Sequence, residues 1–167
     1  MSPLKKSSQR NILPSLLDRL IDEEPNNRNE ARERLAQSLA DLKDSVRRDI
    51  EWMLNTRRAP IEPPESAKEL WKSVYCYGLP DTTGMTISSV EDRGRMARLV
   101  AAAISAFEPR LINVNVEMDD APGGDRTLRF RIDALLRVEP APARIYFDTT
   151  LELTSGQYEV QGEQRAR

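Results

Sequence analysis

The sequence predicts an α+β fold in which N-terminal helices pack on one face of a three- to four-stranded, mainly antiparallel C-terminal sheet. Three observations predict it. Apolar residues recur at helical spacing as far as Phe107, they alternate with polar ones after Pro109, and the connectors between the alternating stretches are too short for parallel crossovers.

The first ten residues are polar and read as a flexible extension, 11–162 as a single domain and 163–167 as a flexible tail. Ile12, Leu13, Leu16, Leu17 and Leu20 predict a short amphipathic helix, with Pro14 near its start and Pro25 beyond its end. A polar linker follows. Leu35, Leu39, Leu42, Val46, Ile50 and Met53 then step by three or four residues, which lays one apolar stripe along a helix ending near Asn55. The cluster Ala59-Pro60-Ile61-Glu62-Pro63-Pro64 disfavours helix and predicts an extended connector. Ala67 to Tyr75 can form a short helix, closed by the turn Tyr77-Gly78-Leu79-Pro80-Asp81. Ser88 and Ser89, each with an acid three residues on (Glu91, Asp92), form overlapping capping boxes. Behind them Met96, Leu99, Val100, Ala103, Ile104 and Phe107 mark the inner face of a second long helix.

Ile112, Val114, Val116 and Met118 predict a first strand, Leu128 to Val138 a second and Ile145 to Leu153 a third, with Gln157 to Gln161 as a fourth. Glu117 with Arg129, and Arg131 with Glu152, are expected as cross-strand ion pairs.

Composition narrows the chemistry. The 167 residues carry 25 Lys and Arg against 27 Asp and Glu, so no polycationic arm argues for nucleic acid. With no His and one Cys, a Ser-His-Asp or Cys-His relay within this chain and an internal disulfide are excluded. No cofactor is called for. The longest apolar run, Leu99 to Ile104, is far short of the roughly 20 residues of a spanning helix, so membrane insertion is not expected. The first ten residues lack the apolar core of a secretory signal, which leaves the cytoplasm as the expected location.

Carboxylates are the remaining catalytic material, and a carboxylate-dependent peptidoglycan hydrolase is the enzymatic alternative. Such an enzyme needs an acid pair in a cleft with sugar-stacking aromatics, and the sequence ties no pair to one. Trp52, Trp71, Tyr75 and Tyr77 read either as an interface patch or as a second packing face of the long helix. Arg93, Arg95 and Arg98 read as a solvated helix face, and Cys76 as a small buried hydrophobe.

Glu108-Pro109-Arg110 stands apart. Pro109 ends the helix, and the extended backbone after it turns the Glu108 and Arg110 side chains to the same side. A Glu at a helix C-terminus opposes the macrodipole, at a cost on the order of 0.3 to 1 kcal/mol. It therefore needs either an internal Arg partner or a surface on another protein.

Leu16-Leu17-Asp18-Arg19-Leu20, Leu54-Asn55-Thr56-Arg57-Arg58, Tyr77-Gly78-Leu79-Pro80-Asp81, Phe107-Glu108-Pro109-Arg110-Leu111 and Phe147-Asp148-Thr149 occur in that order. As an ordered set they resemble the TssE family, baseplate wedge subunits of bacterial type VI secretion systems, and the small wedge protein of contractile phage tails, historically labelled lysozyme-like. The resemblance runs from about Ile12 to Gly162. It implies a structural subunit that sits with the TssF and TssG wedge proteins in a cytoplasmic baseplate at the inner membrane, and connects it to the contractile TssB/TssC sheath. TssK is a further candidate neighbour. The resemblance also implies that Glu108, Pro109 and Arg110 dock on the core bundle of the wedge. Strand exchange at the sheath would involve the last two strands, with Ile145, Phe147, Thr149 and Tyr158 as its candidate residues.

Overall fold

The computed structural model describes residues 39–86, 88–118 and 127–162. The predicted helix over 12–20, both terminal extensions and Leu35 lie outside the described residues. The chain divides into two compact units, Met1–Ser45 and Val46–Arg167. Of the first, the described part is the opening of helix α1, which runs Leu39–Leu54. Helix α2 spans Val90–Phe107, and four strands follow: β1 Leu111–Met118, β2 Thr127–Leu136, β3 Ala143–Glu152 and β4 Gln157–Gly162. They form one antiparallel sheet in the order β1-β2-β3-β4, as the short connectors required.

Both helices bury the predicted stripes. Val46, Ile50 and Met53 of α1 and Met96, Val100 and Ile104 of α2 are at most 4% exposed. The sheet contributes one apolar face, with Phe130, Ile132, Leu136, Ile145, Phe147, Leu151 and Val160 all buried. Each such side chain, moved from water to core, contributes roughly 1.5 to 3 kcal/mol. Ser89 caps α2, its hydroxyl accepting the Asp92 N–H at 3.3 Å. The Asp92 carboxylate accepts from the Thr86 N–H at 2.9 Å instead of closing a reciprocal box.

Three expectations change in detail. Ala67 to Tyr75 forms two 3-10 turns, Leu70–Lys72 and Val74–Cys76, because Ser73 between them is extended (φ −93°, ψ 171°). In β1 a bulge interrupts the register between Ile112 and Asn115, and Asn113 takes φ +55°. Leu111 thus lies opposite buried Leu136, while Ile112 pairs with Leu135 on the polar face, away from Val116 and Met118. Finally, Glu117 lies opposite Arg131 and Arg129 opposite Thr150. The ion pairs on the polar face are Arg131 with Asp148 (2.9 Å) and Arg144 with Asp133 (2.5 Å).

Candidate functional site

Helix α1 ends where Thr56 N–H reaches back to the Met53 carbonyl. The next residues run alongside Tyr77–Pro80: Leu79 N–H donates to the Thr56 carbonyl (2.9 Å), and Arg58 N–H donates to the Leu79 carbonyl (3.0 Å). This approach explains Gly78, which has φ +98° and would place a Cβ 2.2 Å from the Thr56 carbonyl oxygen. Arg57 and Asp81 close the outer side with an exposed ion pair at 2.9 Å. The Thr83 N–H and hydroxyl both donate to the Asp81 carboxylate, and these two hydrogen bonds, ahead of the Arg57 charge, hold the Asp81 carboxyl below its usual range.

Asn55 ties the same corner to the sheet. Its carboxamide donates to the Tyr158 carbonyl (2.8 Å) and accepts the Tyr158 N–H (2.9 Å), as a neighbouring strand would. One helical turn earlier than Glu51, which it also pairs, Arg47 donates to the Val160 carbonyl at 3.0 Å.

Tyr77 turns inward, its ring 5.4 Å from that of Phe107 in an edge-on arrangement. Burial, followed by the nearby Asp49 and Glu108 carboxylates, raises its phenol above the ordinary value. Beside it stands the Glu108-Pro109-Arg110 junction. Glu108 is 5% exposed. Its carboxylate accepts from Arg110 Nε (2.7 Å), from an Arg110 terminal nitrogen (2.5 Å) and from the Arg110 backbone N–H (3.1 Å). The same Arg110 terminal nitrogen reaches Asp49 of α1 at 2.5 Å, and Arg48 adds a longer contact to Asp49 at 3.3 Å. Burial works against the charge on Arg110. The hydrogen bonds and charges of Glu108 and Asp49 outweigh it, so the guanidinium is held protonated more firmly than usual.

Glu108 thus has the internal Arg partner that the dipole argument required. Arg110 keeps 24% of its side chain exposed, and Ser105 and Ala106 at the end of α2 and Pro109 after it are exposed. Asp49, Arg47 and Asn55 are the contributors that sequence reasoning missed. Nothing in α1 distinguishes Asp49 from the other charged residues of the same helix, since its role depends on a partner 61 residues away.

The strand residues lie elsewhere. Ile145, Phe147 and Thr149 project into the core from β3, which is flanked by β2 and β4 and has no open edge. Tyr158 is on edge strand β4, its side chain 7% exposed and its backbone held by Asn55. Trp52 is half exposed, with the Arg48 guanidinium 5.1 Å from its ring centroid. A cavity of about 240 Å³ lies between Leu54, Leu79, Met85, Met96, Leu151 and Tyr158, and among the described residues no Asp or Glu lines it. Among the described residues no helix is long and apolar enough to cross a membrane.

The chain matches the family model described as baseplate wedge protein gp25 over residues 40–141, from α1 through β2 to the turn before β3. No curated protein and no solved structure matches it. That match takes in α1, the Gly78 crossing and the Glu108-Pro109-Arg110 junction, and on it the chain belongs to the baseplate wedge protein gp25 family, with a structural role in a baseplate.

Proposed function

We propose that this protein is a non-enzymatic wedge subunit of a type VI secretion baseplate, held in the cytoplasm at the inner membrane. It docks on TssF and TssG through the α2–β1 junction and links the platform to the TssB/TssC sheath through its sheet. One observation carries the docking half: Arg110 is fixed by Glu108 and Asp49, yet a quarter of its side chain remains exposed, at a junction where Ser105, Ala106 and Pro109 are also exposed. An immobilised, partly exposed guanidinium suits recognition of an acidic group on a helical partner.

The test is the double variant Ser105→Arg/Ala106→Arg. Both positions are exposed on the last turn of α2, where added positive charge favours the helix dipole, so folding should be unchanged. Co-purification with TssF and TssG should fall at least tenfold. Wild-type recovery of the wedge with unchanged thermal melting would remove this face from the docking surface.

A further inference from the structure

We infer that Asp49 of α1 is a positioning residue for docking, one that acts through Arg110 by setting the direction in which the α2–β1 junction presents the guanidinium. This inference rests on the docking proposed above and deepens it.

The two carboxylates on Arg110 have different tasks. Glu108 stands two residues away, is 5% exposed, and accepts from Nε, a terminal nitrogen and the backbone N–H of Arg110. That fork already neutralises the guanidinium and fixes it relative to its own turn of chain. Its bearing on α1 is a separate matter. Asp49 supplies that bearing from 61 residues away, through one contact at 2.5 Å to the same terminal nitrogen that Glu108 holds.

For stability alone, a second acid at this nitrogen is a poor choice. Like charges so close disfavour each other, and the two acids, after burial as the larger cause, raise the neighbouring Tyr77 phenol. A neutral asparagine would offer an acceptor without that repulsion. What the carboxylate adds is a stronger, shorter bond that resists displacement.

Asp49 is also well supported. Its other oxygen accepts from Arg48 at 3.3 Å, Ile50 beside it is fully buried, and α1 is tied to β4 through Arg47 and Asn55. A short side chain on an anchored helix has little freedom, whereas the longer arginine in the turn after Pro109 has much more to lose. Without the Asp49 charge, part of that ordering would fall to the docking step and subtract from affinity.

The test is a double-mutant cycle on the affinity of the full-length protein for the purified TssF/TssG wedge. Asp49→Asn should weaken docking about fivefold, and in an Arg110→Lys background the same change should matter less than about twofold. Melting of Asp49→Asn should change little, because Glu108 still neutralises Arg110. Equal losses in both backgrounds, or a loss matched by a fall in melting temperature, would reduce Asp49 to a structural residue. Tighter docking of Asp49→Asn would make it a competitor for Arg110 and equally overturn the inference. A second measurement needs no partner. The Arg110 Nε–Hε order parameter of the isolated protein should be about 0.85 in wild type and below about 0.7 in Asp49→Asn. Unchanged mobility overturns the positioning role. If mobility rises as expected but neither Arg110→Lys nor Ser105→Arg/Ala106→Arg alters wedge binding, the docking reading is what fails.

Discussion

The chain leaving α1 and the chain entering α2 frame two stretches of opposite character. Asn55–Arg58 and Tyr77–Pro80 are bound to each other, to β4 and to the α2–β1 junction by directional contacts. Between them, Ile61, Leu70, Val74 and Tyr75 are all more than 40% exposed, and the first 3-10 turn buries nothing. Two of the family-like motifs, Leu54–Arg58 and Tyr77–Asp81, fall on the first region, a third, Phe107–Leu111, is the junction it contacts, and none falls on the second. Those motifs therefore record where backbone and charge must meet within small tolerances, whereas the connector needs only to span a distance.

The sharpest way to break that contrast is Gly78→Ala. The new Cβ meets the Thr56 carbonyl in a backbone conformation that L-residues avoid, so unfolding free energy should fall by roughly 3 kcal/mol in urea titration. A loss below about 1 kcal/mol would mean that the two segments separate easily. Arg110→Met follows, leaving the Glu108 carboxylate buried without its fork. Allowing for partial exposure of the arginine, the expected loss is about 2 to 3 kcal/mol, and Arg110→Lys should recover only part of it. Asn55→Ala should cost about 1 to 2 kcal/mol, because it strips both backbone groups of Tyr158.

A pH series gives a smaller effect with a defined sign. Burial raises the Tyr158 phenol above its ordinary value of 10.0, against weaker opposing effects of Arg57 and Thr82. The neutral form is thus favoured on folding. Its contribution is complete below pH 10.0 and lost as pH rises through the folded value, so wild-type stability should decline on the alkaline side more steeply than that of Tyr158→Phe. Parallel decline of the two proteins would assign the loss to other groups. At the opposite end of the scale, Ile61→Ser and Val74→Ser should each change stability by no more than about 0.5 kcal/mol. A loss of 2 kcal/mol from either would erase the distinction between connector and corner.

Much of this was legible because periodicity reports burial. The stripes of α1 and α2, the Ser89 cap, the four strands and their antiparallel order follow from spacing, capping chemistry and loop length. The β1 register was not, because the extra residue at Asn113 leaves apolar–polar alternation intact on paper while exchanging the faces of Ile112 and Val116. Ion pairs on the polar face slipped for the same reason: choosing between Asp148 and Glu152 for Arg131 requires the register. At the junction, Glu108 and Arg110 could be paired from the proline between them. Their third member, Asp49, is set by tertiary approach alone.

The double hold on Arg110 has a thermodynamic corollary for assembly. A long, flexible side chain normally surrenders rotameric freedom when it is captured, and that loss subtracts from affinity. Here the guanidinium is immobilised before any neighbour arrives. Whatever meets its exposed quarter encounters a rigid template, with the ordering already accomplished during folding.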